Sequence, residues 1–249
     1  MADKIDYEII GEDLQAVTIT LDPGEGVRAE IGSMLYMENG IDMQTNVDGG
    51  LLKGFKRMFT GESFFISNYI NKDTVRRGVA FAAPYPGKLM PVDLAQFNGQ
   101  LICQKDSFLC AASGVDIDIA FTKKLGAGLF GGEGFILQKL SGTGLAIVHI
   151  GGTLLTKQLQ AGEQLRVDTG CLAAFTKDVQ YDIKFIGGFK NVLFGGEGMF
   201  YTVLTGPGTV FLQSLPFARI ADRINAHSVK NDGTTKRVGG ILGDIISGQ

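Results

Sequence analysis

The sequence predicts an all-β protein: three tandem repeats of short strands, followed by one short C-terminal helix. Three observations carry that expectation. Apolar and polar residues alternate with a period of two, turn residues recur every 8–12 positions, and two blocks return three times at near-constant spacing. The alternation is clearest in Val17-Thr18-Ile19-Thr20-Leu21 and in Val115-Asp116-Ile117-Asp118-Ile119, which runs on to Phe121. Successive side chains of a strand point to opposite faces, so such runs lay one face on a core and the other in water. Asp22-Pro23-Gly24, Asn39-Gly40, Asp48-Gly49-Gly50, Pro86-Gly87, Asn98-Gly99, Gly151-Gly152 and Gly206-Pro207-Gly208 punctuate the runs. The 36 glycines, roughly twice the usual ~7% share, follow from this pattern, because tight turns need positive φ many times over.

The first recurring block is Phe59-Thr60-Gly61-Glu62-Ser63-Phe64, then Phe130-Gly131-Gly132-Glu133-Gly134-Phe135, then Phe194-Gly195-Gly196-Glu197-Gly198-Met199. Its glutamates lie 71 and 64 residues apart. The second block, upstream, sets a small residue before an apolar run: Gly32-Ser33-Met34-Leu35-Tyr36, Asp106-Ser107-Phe108-Leu109-Cys110 and Thr169-Gly170-Cys171-Leu172-Ala173. From Ser33, Ser107 and Gly170 to the next block's glutamate the distances are 29, 26 and 27 positions. Two markers that keep their spacing in three copies define repeats at about 1–83, 84–156 and 157–215 within one domain, 1–249. The segment 216–249 departs from the pattern. Pro216-Phe217 opens a stretch with Ile220, Ala221 and Ile224 at helical spacing and Arg219, Asp222 and Arg223 facing elsewhere, which predicts a helix at about 217–228. The tail from Val238 to Gln249 is apolar and broken by glycine, suited to pack back on the domain or to reach a neighbouring subunit.

Composition narrows the chemistry. The chain carries 26 acidic and 23 basic side chains, with 45% hydrophobic and 20% charged residues, as an ordinary soluble globular protein does. A chain of this length buries roughly 70–75% of its unfolded surface and needs no metal or disulfide staple. The slight acidic excess argues against nucleic acid as a partner. Cys103, Cys110 and Cys171 are odd in number and lack C-x-x-C spacing, so neither a disulfide framework nor a structural zinc site is expected. All three sit among apolar neighbours and read as buried small hydrophobes. Met1 to Ile10 has no apolar core of a signal peptide, and no stretch approaches 18 uninterrupted apolar residues. A reducing, cytoplasmic compartment is the expectation.

The tripled Phe-x-Gly-Glu-x-Phe blocks at Phe59, Phe130 and Phe194, together with the length, resemble the altered-inheritance-of-mitochondria (mitochondrial biogenesis) family in its uncharacterised bacterial branch. The resemblance implies three units like the tryptophan RNA-binding attenuation protein. Each would be a small β-sandwich, a short double-stranded β-helix, set around a pseudo-threefold axis. It implies no catalytic residue that these positions would inherit. The eukaryotic relatives resemble organisers of the mitochondrial inner membrane, a role that a chain without an organelle-targeting segment is not expected to take over directly.

Catalytic constellations are sparse. A metal-dependent cupin needs several histidines with a carboxylate, whereas His149 stands alone in the strand-like run Leu145–Ile150 and reads as a satisfied, half-buried residue. His227 falls at the end of the expected helix, where a cation suits the helix dipole. Gly126-Ala127-Gly128-Leu129-Phe130-Gly131 spells G-x-G-x-x-G, yet the following Phe135–Lys139 reads as a strand rather than the helix that phosphate binding requires, so no cofactor is expected. No G-x-S-x-G is present, and Ser63, Ser107 and Ser113 have no histidine nearby in sequence.

Two sets of residues remain as candidates. Glu62, Glu133 and Glu197 either accept hydrogen bonds from their own glycine-rich turns or converge on a cation or ligand pocket between repeats. Before each glutamate lies a run mixing cations with large apolar residues. The first holds Lys53, Phe55, Lys56, Arg57 and Phe59; the second Lys123, Lys124, Leu129 and Phe130; the third Lys184, Phe189, Lys190 and Phe194. Equivalent loops of related repeats emerge on one face, where these residues would form a contact surface for a protein partner or an anionic membrane. The alternative is that the aromatic side chains plug the sandwich ends while the lysines reach out to water. The expectation is therefore a non-catalytic scaffold or interaction protein and a homo-oligomer, with a small-ligand binder or enzyme using an inter-repeat pocket as the runner-up.

Overall fold

A computed structural model of the chain describes residues 5–46, 66–123, 135–185 and 200–228. A lead strand, β1 (Asp6–Ile10), precedes three sets of six strands. The first set is β2 (Ala16–Leu21), β3 (Gly26–Glu30), β4 (Met34–Met37), β5 (Ile41–Asn46), β6 (Ile66–Asn71) and β7 (Arg77–Ala82). The second is β8 (Gly87–Asp93), β9 (Gln100–Gln104), β10 (Phe108–Ala112), β11 (Val115–Lys123), β12 (Phe135–Gly142) and β13 (Leu145–Gly151). The third is β14 (Leu154–Leu159), β15 (Gln164–Asp168), β16 (Leu172–Thr176), β17 (Gln180–Phe185), β18 (Phe200–Thr205) and β19 (Gly208–Gln213). The helix α1 (Phe217–Ser228) follows, over the span the sequence predicts. The third set starts at Leu154, so the change from second to third set falls at Gly152-Thr153 rather than at 156–157. A two-residue turn there leaves no room for a longer linker.

Within each set the first, sixth and third strands form one antiparallel sheet, and the second, fifth and fourth form another: β2-β7-β4 with β3-β6-β5, β8-β13-β10 with β9-β12-β11, and β14-β19-β16 with β15-β18-β17. Each repeat is thus a small two-sheet sandwich. The third strand bulges at the same place every time, between Met34 and Tyr36, Phe108 and Cys110, and Leu172 and Ala174. A bulge adds one residue to one strand and sharpens the local twist. These bulges align Ser33, Ser107 and Cys171, one position beyond the Gly170 that the sequence blocks match. The alternating strands behave as their pattern requires: Val17, Ile19 and Leu21 are fully buried while Thr18 and Thr20 are half-exposed. In β11 the pairing shifts between Ile119 and Phe121, and Phe121 packs edge-on to Tyr181 at 5.5 Å across the junction with the third repeat.

Neighbouring repeats fuse by strand pairing. β10 of the second repeat pairs with β3 of the first, with Cys110 opposite Ala29, Ala111 opposite Arg28 and Ala112 opposite Val27. β16 of the third pairs with β9 of the second in the same register, with Ala174 opposite Cys103, Phe175 opposite Ile102 and Thr176 opposite Leu101. Each joint makes a six-stranded sheet, β5-β6-β3-β10-β13-β8 and β11-β12-β9-β16-β19-β14. β10 brings the small residues Cys110, Ala111 and Ala112 to the first joint, whereas Phe175 meets Ile102 at the second. One core cluster accordingly runs from Val17 through Cys103 and Cys110 to Ala173 and Ala174, and a second gathers the third repeat around Phe175 and Leu204 with Ile102, Phe135 and Leu137 of the second.

Candidate functional site

Most of the sequence-derived contact and pocket residues lie outside the described residues. This holds for Lys53, Phe55, Lys56, Arg57, Phe59 and Glu62, for Lys124, Leu129, Phe130 and Glu133, and for Phe189, Lys190, Phe194 and Glu197. The G-x-G-x-x-G segment is outside them as well, though Phe135–Lys139 after it is strand, as expected. Lys123 ends β11, and its side chain, like that of His227, is not among those described. Lys184 is described and pairs with Asp182 at 2.5 Å on the open face of β17. The connections that carry these runs are nonetheless placed by the strands on either side: they join β5 to β6, β11 to β12 and β17 to β18, the same fourth-to-fifth hairpin in each repeat.

The most polar buried region lies elsewhere, where the second and third repeats meet α1. Ala82 and Gln213 end β7 and β19, and the residue of β13 equivalent to both by register is His149. Gln213 is buried and fully used: its Oε1 accepts from Gly151 N at 2.9 Å, and its Nε2 donates to the Gly170 carbonyl at 2.9 Å and to Gln104 Oε1 at 3.2 Å. The ends of β3, β9 and β15 are likewise equivalent and do three different jobs. The Glu30 carbonyl accepts from Ser33 Oγ at 2.6 Å, Gln104 meets Gln213, and Asp168 caps Gly170 N at 2.9 Å while pairing with Arg219 of α1 at 3.0 Å.

His149 corrects its sequence reading. It is 1% exposed rather than half-buried, and neither ring nitrogen has a hydrogen-bond partner. Tyr85 packs edge-on against it at 4.5 Å, and Phe217 of α1 stacks on Tyr85 at 5.4 Å. Burial drives the imidazole pKa down to about 4, with the Tyr85 backbone pulling weakly the other way. The ring is therefore neutral at physiological pH, and the missing period-two signal is plain: Ile147, Val148, His149 and Ile150 are all buried because β13 is central in its sheet, with covered faces on both sides. Burial, aided by the charges of Asp106 and Glu30, pushes the Tyr85 phenol far up. Burial also raises the Cys103 and Cys110 thiols, leaving them unreactive. Cys171 is half-exposed, against expectation, at the end of a short 3-10 turn, Thr169–Cys171. Ser107 Oγ is buried without a partner, so no hydrogen bond couples it to His149 as nucleophile to base.

Gly87 and Gly151 face each other across β8 and β13 and let this region close. A Cβ at Gly87 would lie 2.2 Å from the Ile150 carbonyl oxygen and 2.4 Å from His149 Nε2. Gly87→Ala is expected to destabilise the protein by about 1–3 kcal/mol, read as a lower urea midpoint with an unchanged slope.

Clefts flank the repeat joints. One of about 580 Å³ lies at the first joint and is lined by Glu25, Arg28, Gln44 and Asn68 of the first repeat and Ser113 and Gly114 of the second. Its counterpart on the third repeat, about 360 Å³, holds Gln164, Arg166, Asp182 and Lys184 but has no wall from a following repeat. Among the described residues two carboxylates brace glycine turns: Glu25 accepts from Asp22 N at 2.7 Å and Glu163 from Gln160 N at 2.8 Å. Among the described residues no helix is long and apolar enough to cross a membrane.

The chain is similar to known proteins over most of its length. It is 26% identical over 219 residues to an uncharacterized protein of Streptococcus pyogenes serotype M6, covering 85% of this chain and 86% of that one. The crystal structure of a Streptococcus pyogenes structural-genomics protein superposes with a TM-score of 0.74 at 22% identity, covering 90% of this chain and 99% of that chain, a likeness of fold. The profile of the mitochondrial biogenesis AIM24 proteins matches residues 7–215, and with the three repeats intact across that span the chain belongs to the AIM24 mitochondrial biogenesis family.

Proposed function

We propose that this protein is a non-catalytic scaffold whose three fourth-to-fifth-strand connections together form a contact face for an anionic membrane surface. The observation that supports this reading is positional: the runs mixing lysine with phenylalanine and leucine all occupy the same hairpin connection of the repeat. Repeats joined by the same pairing in the same register carry equivalent connections toward the same end of the assembly. Each basic residue near an anionic surface contributes about 1 kcal/mol, so three loops acting together supply what one would not.

Flotation with liposomes tests this. Binding to anionic and not to neutral vesicles, weakened by high salt and lost in the triple variant Phe55→Ser, Leu129→Ser, Phe189→Ser that still folds, is the expected result. A protein that floats with neither vesicle type sinks the membrane reading and leaves a protein partner as the occupant of that face. The runner-up, a small-ligand site between repeats, rests on the 580 Å³ cleft beside Arg28, and fragment binding confined to that cleft would favour it.

A further inference from the structure

Of the strand edges left open among the described residues, two are the two halves of one joint. Each repeat joint pairs the third strand of one repeat with the second strand of the repeat before it. The third strand of the first repeat, β4, and the second strand of the third repeat, β15, have no such partner among the described residues: each stands at the edge of its sheet, in β1-β2-β7-β4 and β15-β18-β17. The consequence for β4 is large. Leu35, Tyr36 and Met37 are 57%, 50% and 40% exposed, whereas their equivalents Leu109, Cys110 and Ala111, and Ala173, Ala174 and Phe175, are at most 1% exposed. An exposed apolar edge strand is a template for another strand, and proteins normally blunt or cover it.

The free β15 carries the sequence that such a joint uses. Leu165-Arg166-Val167-Asp168 repeats the Val27-Arg28-Ala29-Glu30 of β3 position by position. At the first joint Arg28 crosses to the second repeat, donating to the Val115 carbonyl at 3.2 Å with the Asp116 carboxylate 3.9 Å away. The residues equivalent to Val115 and Asp116 in the first repeat are Ile41 and Asp42, by their pairing with Asn71 and Ile70. Among the described residues Arg166 has no carboxylate partner and rests over the Tyr201 ring at 5.9 Å, and Asp42 accepts from Gln44 Nε2 alone. The cleft beside Arg166 lacks the wall that Ser113 and Gly114 give its counterpart, and the equivalents of those two are Asn39 and Gly40, just after β4.

We infer that β15 of one chain pairs with β4 of a second copy, antiparallel, with Tyr36 opposite Val167, Met37 opposite Arg166 and Glu38 opposite Leu165, and with Arg166 reaching Asp42. The register is that of the two joints inside the chain, carried to the third. Because every chain presents one β4 and one β15, the contact is head-to-tail, and it closes into a ring or extends as a filament. It is independent of the membrane-contact reading, since none of these residues lies in the loops invoked there.

Directly opposed residues of an antiparallel pair have Cα atoms about 4.5–5.5 Å apart, within the range a disulfide spans. In a Cys171→Ala background, a chain carrying Tyr36→Cys is mixed with one carrying Val167→Cys and oxidised gently. A reducible dimer from this mixture, and little from the off-register mixture of Tyr36→Cys with Leu165→Cys, is the expected result. A chain carrying both Tyr36→Cys and Val167→Cys that instead loses both thiols while staying a monomer, at a dilution where chains do not meet, would show that the chain closes on itself and overturns the inference. Sedimentation of the cysteine-unmodified chain gives a second reading. Arg166→Glu or Asp42→Arg alone should weaken self-association about fivefold or more, and the two charge reversals combined should restore it. A wild-type chain that sediments as a monomer at every concentration overturns the inference equally.

Discussion

Gln213→Ala is expected to lower the melting temperature by roughly 6–12 °C, at about 2–4 °C per kcal/mol for a chain of this size. The side chain makes three hydrogen bonds in a site 3% exposed, to Gly151 N, to the Gly170 carbonyl and to Gln104 Oε1. A typical hydrogen bond contributes about 1 kcal/mol net, but a buried partner left unpaired costs about 1–3 kcal/mol, and the shortened side chain adds a cavity. About 3 kcal/mol in all is a moderate sum of these effects. Gly151 and Gln104 belong to the second repeat, Gly170 and Gln213 to the third, so the loss loosens the junction on which α1 docks. Gln213→Met separates the causes, because it keeps the volume and removes the polar contacts. Thermal unfolding of the two variants decides: if Met recovers nearly all the loss, packing rather than hydrogen bonding holds the junction, and the argument from the amide fails.

The repeat architecture was legible because it rests on local signals. Alternation in β2 and β11, the turns at Gly24 and Gly99, and the Pro216 helix start each act within a few residues, and each places its element correctly. The tripled blocks reveal the copies, yet they are one residue out of step at Gly170, because Gly170 and Cys171 are both small and composition does not say which of them matches Ser33 and Ser107. Residues whose role depends on distant partners were not legible. Nothing in Leu145–Ile150, the strand that carries His149, announces that Tyr85 and Gly87 will seal it. Arg28 and Arg166 look alike in sequence, and only the strand order distinguishes the one that crosses a joint from the one at an open edge. Glu25 and Glu163 also hold glycine turns, and their x-x-Gly-Glu tetrads, Asp22–Glu25 and Gln160–Glu163, are the sequence signal for it.

The contact face and the open edges bear on each other. If copies join through β4 and β15, every added chain brings three more equivalent connections, and weak loop contacts sum by effective concentration rather than by new chemistry. Salt and concentration should then act together on vesicle binding, and Arg166→Glu should weaken flotation although it lies in none of the loops. Loss of self-association without loss of flotation would separate the two.

Acid is expected to remove roughly 3 kcal/mol of stability between about pH 6.5 and pH 4, and His149→Leu to abolish that part of the loss. In the folded protein burial holds the imidazole pKa at about 4, below its usual value of 6.5. Above pH 6.5 the ring is neutral in both states and contributes no pH dependence. As the pH falls below 6.5 the unfolded chain takes up a proton that the folded chain refuses, so unfolding gains free energy. Below about 4 both states are protonated and the penalty levels off. Carboxylates titrate in the lower part of the same window, so the measurement is the difference in urea-derived stability between wild type and His149→Leu at matched pH steps. A difference that stays flat from pH 7 to pH 4 would show that the ring reaches water or a partner when charged. The position equivalent to His149 holds a hydrogen-bonded glutamine in the third repeat and an alanine in the first, both insensitive to pH, so the response should be confined to the second repeat and what rests on it. Phe217 rests on Tyr85, which rests on His149. Hydrogen exchange at 217–228 should therefore accelerate on acidification before the central strands β10 and β13 lose protection, and the His149→Leu variant should lose that early phase.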